Sequence, residues 1–307
     1  MKKLLFTLLL LVGFPVYAAC TGSSPTWTAS NDQASVASCV SSASEGDTIN
    51  ISSGTTAWST YVTITKSLNI IGAGKTSTVI TGTAANFFIN TSSAKNVRIS
   101  GIGFTGSGGS VSGAGESAKI TLQNVVDTVR LDNLKFTDVA EHAIYMGYFD
   151  TVPQHPRILI DHIEYNCNTS SVPFCRLAKF NCPNSTWTQP DRAGSDLFIF
   201  IEDSTLTWTG GANLNNDPTD TEYGCRITAR YNSVTNGAFQ VHDTGSTEAA
   251  RGQRYTEIYN NTIHCSLALC DQKAAIPMRG GGWLVYNNTV TGNWSDTVYA
   301  QVWRKAD

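Results

Sequence analysis

Charge is scarce in this chain. Asp, Glu, Lys and Arg supply 15% of its 307 residues, where roughly a quarter is usual for soluble domains. The formal net charge is -3, and a nucleic-acid partner would want a basic face, so that class is excluded. No two cysteines form a Cys-x-x-Cys pair, which excludes the common zinc sites. The only long apolar run is Leu4 to Val12, too short to be a stable membrane span. Helical periodicity is also nearly missing, and confined to one stretch near the start.

What the chain has in quantity is Ser, Thr, Asn, Gly and short apolar/polar alternations. Arg157-Ile-Leu-Ile-Asp-His-Ile-Glu-Tyr-Asn166 reads as a short strand, a bend at His162, and a second short strand. The same pattern recurs at Val97–Phe104 and Val129–Phe136. Looser copies follow at Ile199–Leu206, Ile227–Val234, Thr256–Ile263 and Trp283–Val290. The closing apolar residues stand at 104, 136, 165, 206, 234, 263 and 290, giving gaps of 32, 29, 41, 28, 29 and 27. A strand-rich period near thirty predicts a solenoid, because one repeat cannot bury its apolar face alone. The Leu-rich signature of the leucine-rich repeat, with its shorter period, is absent. The predicted fold is all-β: a parallel β-helix with one coil per repeat and loops of varying length outside.

Residues 1–18 read as a signal peptide: Lys2 and Lys3, the apolar run, then Val16-Tyr-Ala18 as a small-residue cleavage site. Residues 19–307 then form a single domain, exported to the periplasm or the medium. A competing reading makes Cys20 a lipid-anchored terminus, although Tyr17 stands where such signals usually want Leu. Eight cysteines, an even number, agree with export. Three of them crowd into 167–182 and predict a stapled loop, but eight cysteines allow 105 pairings and the sequence does not choose among them. Residues 21–30 read as a polar leader. Val36, Cys39, Val40 and Ala43 then fall at helical spacing, so a short helix over about 31–43, capped by Asn31 or Asp32, is expected to close the first coil. Asp296 to Trp303 reads as a last strand with no capping element after it, as in a truncated chain or one whose edge a partner covers.

The cap helix, then Gly46-Asp-Thr-Ile49, then Ile64-Thr-Lys-Ser-Leu-Asn-Ile-Ile-Gly-Ala-Gly74 resemble the opening of pectin-lyase-like right-handed β-helix proteins. The resemblance runs from about 31 to 300. It implies the right-handed parallel form of the solenoid. For function it implies either degradation of an acidic polysaccharide or a role like that of tailspikes and adhesins.

Aligning the repeats on the last position of the first strand gives Ser100, Asp132, Asp161, Glu202, Arg230, Tyr259 and Tyr286. Strands in adjacent coils lie about 4.8 Å apart, so three carboxylates and an arginine should form one outward row, with Ile99, Leu131, Ile160 and Ile201 facing in. Like charges at that spacing repel, and calcium held by Asp132, Asp161 and Glu202 is one answer, since that ion tolerates irregular oxygen sets. A solvated face is the plainer alternative.

Ile158-Leu-Ile-Asp-His162 is similar to the Val-Trp-Ile-Asp-His motif of pectate lyases, with Leu159 in place of Trp. That family abstracts a uronate α-proton with an arginine while calcium grips the carboxylate. The resemblance implies such a site around Asp161 and His162. The family's Arg-x-Pro-x-x-Arg motif is not kept: Ala275 and Gly280 stand where its arginines belong around Pro277. The catalytic role would pass to Arg230 or to Arg279, one residue out. Polygalacturonase-type hydrolysis by paired carboxylates ranks lower, because the Asn-Thr-Asp, Asp-Asp and Gly-His-Gly motifs are missing.

Three further groups complete the reading. Val241 to Arg254 interrupts the repeat with dense polar chemistry, and His242, Arg251 and Arg254 there can form an anionic-sugar subsite or an internal salt-bridged loop. The insertions 166–197 and 207–224 carry Trp187 and Trp208, as walls for sugar rings or as packing for the stapled loop. Asn232, Asn261 and Asn288 align as a structural amide ladder. The resulting expectation is an exported β-helix that engages an acidic polysaccharide and cleaves it by calcium-assisted β-elimination. The alternative is a non-catalytic glycan-binding, adhesin or tailspike-like protein.

Overall fold

Alternating Val, Ile and Leu in pieces of three to five residues can bury only one edge of a strand each, and the structure stacks those edges. The computed structural model describes residues 20–113, 115–125, 127–147, 157–168, 175–182, 190–209, 216–241, 252–270 and 274–300. Residues 1–18, expected to be a signal peptide, lie outside them.

The central coils lay a strand in each of three sheets, and past Glu222 the strands Ile276–Met278 and Val298–Ala300 pair as a separate two-stranded sheet. The first sheet runs from Thr21–Ser23 and Thr26–Ala29 through Thr48–Ile51, Leu68–Gly72, Val97–Ser100, Thr128–Asp132, Arg157–Asp161, Ile199–Glu202, Arg226–Arg230 and Tyr255–Tyr259 to Gly282–Tyr286. The second runs from Gly54–Ala57 to Thr289–Gly292. The third, shorter sheet runs from Val62–Ile64 through Ala118–Gln123, Glu141–Met146 and Cys175–Asn181 to Asn216–Glu222. Coil-to-coil pairings are parallel and in the register read from the repeats: Asp132 pairs with Ser100 and Asp161, Asp161 with Glu202, Glu202 with Arg230, and Arg230 with Tyr259. The solenoid is a parallel β-helix.

The core is the set of inward columns. Ile99, Leu131, Ile160 and Ile201 are fully buried, as are Phe104, Phe136, Tyr165 and Leu206 of the second sheet. Phe104 and Phe136 stack at 5.1 Å. Burying each such side chain contributes about 2 kcal/mol. The last copy of the repeat keeps the register, Tyr259 opposite Tyr286, yet Trp283 is 45% and Leu284 44% exposed.

The corner between the first and second sheets has the same form in every coil from Gly101 to Asn287. Two residues join the strands, and the first of them lies in the left-handed region: Gly101, Asn133, His162, Asp203, Tyr231, Asn260 and Asn287, with φ between 51° and 70°. Asn and Asp tolerate that conformation better than other side-chain-bearing residues. Gly101 is needed for a second reason, since a Cβ there would sit 2.6 Å from the Gly72 carbonyl oxygen. Beside this corner the asparagine ladder forms as read: Asn232 Nδ2 donates to Asn261 Oδ1 (3.0 Å) and Asn261 Nδ2 to Asn288 Oδ1 (2.9 Å).

The helix spans Gln33–Ser42, with Asp32 as N-cap accepting from Ser35 N, and buries Val36, Cys39 and Val40 against the first coils. Lys66 Nζ donates to the carbonyls of Val40, Ser41 and Ala43, meeting the acceptors its last turn leaves open. Residues 21–29 are not a loose polar leader. They form an antiparallel hairpin whose second strand pairs with Thr48–Ile51. Asp47 holds it there, accepting from Ser24 Oγ and Trp27 Nε1 at 2.8 Å each.

Four disulfides join Cys20–Cys39, Cys167–Cys175, Cys182–Cys225 and Cys265–Cys270. The expected staple near 167–182 is present as two bonds. Cys20, the residue of the lipid-anchor reading, is bonded to Cys39. No helix among the described residues is long and apolar enough to cross a membrane.

Candidate functional site

The row of carboxylates is where the repeats place it, and its acids are paired with arginines. Two positions earlier on the same face the strands carry Arg98 and Arg130, each reaching diagonally to the next coil. Arg98 forks onto Asp132, Nε to Oδ1 at 2.6 Å and Nη2 to Oδ2 at 2.7 Å. Arg130 forks onto Asp161 at 3.1 and 2.8 Å. Arg230 Nε donates to Glu202 Oε2, and its Nη1 to Tyr259 Oη at 3.0 Å. Asp132 and Asp161 lie beneath the arginine stems, 0% and 3% exposed. Burial pushes the Asp132 carboxyl up, but Arg98, Asn133 and Ser100 outweigh it and hold it below the usual range. Like-charge repulsion is thus relieved by interleaved guanidinium groups. The oxygens a calcium ion would need are engaged by arginine, and no three acidic, His or Cys side chains among the described residues converge as a metal site. The donor set does not fit calcium.

The other expected residues scatter. His162 is the left-handed corner residue of its coil, with Nδ1 2.8 Å from Asp161 Oδ2. Arg279 follows the strand Ile276–Met278 and donates to Gln240 Oε1 at 3.0 Å. It precedes Gly282–Tyr286, whose last residue, Tyr286, stands in the Arg230 column, so it does not share that column. Arg254 pairs with Asp191 at 2.6 Å and tethers the segment before Phe198. Trp208 is no sugar platform: it is fully buried, its ring 5.1 Å from Tyr165 and its Nε1 donating to the Cys175 carbonyl. The sequence at 205–209 explains this, since Leu206 and Trp208 alternate with Thr on the inward face. Trp187, His242 and Arg251 lie outside the described residues.

The densest polar chemistry is on the outer face of the third sheet. Ala143 and Ile144, like Leu177 and Ala178, both enter the core, so successive outward positions fall three apart: His142 then Tyr145, Arg176 then Lys179, Asp217 then Asp220. Four strands in register stack these into two columns. Arg176 bridges Asp217 (Nε to Oδ2, 2.8 Å) and Asp220 (Nη1 to Oδ2, 2.8 Å). Lys179 Nζ is 2.6 Å from Glu116 Oε1 and 3.9 Å from Glu222 Oε1. His142 has Nδ1 3.3 Å from the Ser117 carbonyl oxygen and Nε2 3.4 Å from Glu116 Oε2. Asn181 Nδ2 donates to Tyr145 Oη at 3.3 Å, and the Tyr145 and His142 ring centroids are 6.0 Å apart.

Burial and pairing push these groups in different directions. Burial drives His142 down to about 4, so its ring is neutral at neutral pH. Burial pushes the Tyr145 phenol well up, so it keeps its proton. Burial also works against the charges of Arg176 and Lys179. Asp220 and Asp217 outweigh it for Arg176, and Asp220, Glu116 and Glu222 for Lys179, so both cations are held above their ordinary values. A neutral imidazole, a protonated phenol and two fixed cations are the parts that acid–base chemistry on an anion needs. Sequence reading missed this face. Its signal was weak, because the outward spacing of three breaks the alternation that marks a strand, and the loops between coils hide the alignment.

No protein-family model matches the chain, and no curated protein matches it. Among solved structures it is similar to the PL6 family alginate lyase AlyGC, at 14% identity over 95% of this chain and 41% of that one, with a TM-score of 0.39. An arginine-to-alanine mutant of that enzyme gives the same identity and coverage with a TM-score of 0.48. The A-module of the Azotobacter vinelandii mannuronan C-5 epimerase AlgE4 aligns at 12% identity over 84% of this chain and 91% of its own, with a TM-score of 0.23. This chain spans about 41% of the alginate lyase's length. The fold rests on this chain's own coil-by-coil register. Three parallel sheets, a repeated left-handed corner, an asparagine ladder and an N-terminal cap helix give this chain a parallel β-helix fold.

Proposed function

We propose that the protein is an exported, polysaccharide-active β-helix that takes an acidic polysaccharide on the outer face of its third sheet and breaks it by β-elimination. One observation supports this above the others: His142, Tyr145, Arg176 and Lys179 share one face, with their environments holding them neutral, protonated and cationic respectively. In the proposed reaction Arg176 and Lys179 pair with the uronate carboxylate and favour charge building on it as the α-proton leaves. His142 accepts that proton. The C–O bond to the leaving sugar breaks as the new C=C forms, and the Tyr145 O–H gives its proton to the departing oxygen. No step is routed through calcium.

Burial favours a second reading. His142 is 1% and Tyr145 3% exposed, as side chains of a non-catalytic glycan-binding scaffold would be. The two readings part on one assay: absorbance at about 235 nm, where an unsaturated uronate product absorbs, with alginate and polygalacturonate, with and without calcium. Elimination predicts a rise that His142→Gln and Tyr145→Phe abolish without changing the melting temperature by more than a few degrees. No rise on any uronate, with the polymer still bound, establishes the scaffold. A rise that depends on calcium and survives both substitutions would move the chemistry elsewhere.

A further inference from the structure

The outer face of the first sheet changes character halfway up. The column that reads Arg98 and Arg130 in two successive coils continues as Leu159 and Phe200 in the next two. There the guanidinium cover stops and a groove of about 250 Å³ opens. Leu159 and Phe200 form its floor, and Arg157, Asp196, Glu202 and Arg230 line its rim. Arg230 lies 5.3 Å from the Phe200 ring centroid. Arg157 is half exposed, and its ion pair is with Asp196, itself 72% exposed, at 3.1 Å. Such a surface pair contributes little and is readily exchanged for another anion. Beyond Arg230 the same face continues as Tyr259 stacked on Tyr286 at 4.8 Å, with Tyr231 edge-on to Tyr259 at 6.4 Å.

We infer that this groove is a second, non-catalytic saccharide site, which takes a short run of uronate residues with its carboxylates on Arg157 and Arg230. Its chemistry is that of a sugar site. An apolar floor accepts the C–H face of a pyranose ring, cations at the rim pair with carboxylates, and stacked phenols extend the platform. From the strand geometry, Arg157 and Arg230 stand about 13 Å apart along the strands and about 10 Å across them. That separation suits an oligosaccharide rather than a single sugar. The inference borrows the substrate class from the proposed function but not its chemistry. A polymer held here and on the third sheet at once would be retained more strongly than by either site alone.

The test is titration calorimetry of a short saturated oligouronate, from alginate and from polygalacturonate, into the full chain. The wild type is expected to bind two molecules per chain. The double variant Arg157→Ala, Phe200→Ala should bind one, with an unchanged melting temperature and unchanged product formation in the absorbance assay. Fully methyl-esterified oligomer should bind the groove at least about tenfold more weakly, as loss of a charge-assisted contact implies. The proposal is overturned if the double variant binds as the wild type does, or if the esterified oligomer binds the groove equally well. One molecule bound by the wild type and none by the double variant would uphold the groove while sinking the third-sheet reading. One bound by both would sink the groove alone.

Discussion

Replacing Arg98 by methionine tests the arginine–carboxylate ladder directly. The substitution keeps most of the apolar stem and removes the fork that holds both oxygens of Asp132, a side chain with no solvent exposure. Leaving a buried carboxylate without its partner costs about 3–5 kcal/mol. Here the lower end applies, because Ser100 Oγ (2.9 Å) and Asn133 Nδ2 (2.8 Å) still donate and Arg130 Nε stands 3.7 Å away. A loss of about 3 kcal/mol should lower the melting temperature by roughly 6–12 °C. Asp132→Asn should cost only about 1 kcal/mol, since Arg98 is 39% exposed and water can take up its charge. The double variant should then match Asp132→Asn, giving a coupling of about 3 kcal/mol. The sign with pH follows. In the wild type the depressed Asp132 carboxyl contributes stability that is present above its unfolded value near 3.9 and lost as pH falls through the lower folded value. In Arg98→Met, burial is no longer outweighed, the carboxyl rises, and the variant recovers part of its loss in acid. Thermal unfolding followed by circular dichroism at pH 7 and pH 4 measures both. Costs that add within about 0.5 kcal/mol would refute the ladder as an energetic unit.

Two further tests concern buried titrating groups. His142, held down to about 4, should make stability fall as pH drops from about 6.5 to 4, by about 3 kcal/mol in all, with no further slope from this group below that. His142→Gln should flatten that part of the profile in denaturant titrations, and an unchanged slope would count against the burial argument. Lys119 is fully buried, donates to the Gly82 carbonyl at 2.7 Å, and is pushed down to about 8 by burial. Its ammonium therefore opposes folding below pH 8, a penalty relieved as pH rises toward 10.4. Lys119→Met should stabilise the chain by about 1–2 kcal/mol at pH 7, after allowance for the orphaned carbonyl, and destabilise it by about 1–2 kcal/mol near pH 10.5, where only the lost hydrogen bond remains. Destabilisation at pH 7 would mean that the hydrogen bond outweighs the buried charge.

Much of the fold was legible because one alternation recurs in every coil. Ile99, Leu131, Ile160 and Ile201 could be aligned by eye, and the register Ser100–Asp132–Asp161–Glu202–Arg230 followed from them. What could not be read was how the outward residues satisfy one another. Arg98 and Arg130 lie two positions before the acids and one coil away, a diagonal relation that a single column does not display, so calcium or a solvated face was read where arginine was already in place. Trp208 obeyed the alternation too, and its inward turn was available from Leu206. The third-sheet face was hidden for a different reason. Its strands bend between Leu177 and Ala178, and between Ala143 and Ile144, which sets His142, Tyr145, Arg176 and Lys179 out of step with the period-two pattern. The hairpin at 21–29 was passed over because its outward threonines look like a linker.

The two-residue corner has a consequence for how such a chain can change length. Seven successive coils cross it with one left-handed residue, while the spacing between equivalent positions ranges from 27 to 41. An added residue at the corner would shift every later side chain to the wrong face, so growth is forced to the other two edges. The solenoid therefore has a bound spine and loose outer margins. New loops can be spliced beside the third sheet, deepening or roofing its charged face, without disturbing the stacking that holds the spine. A designer grafting loops onto this protein would leave Gly101 to Asn287 untouched along that edge and vary only what the margins already vary.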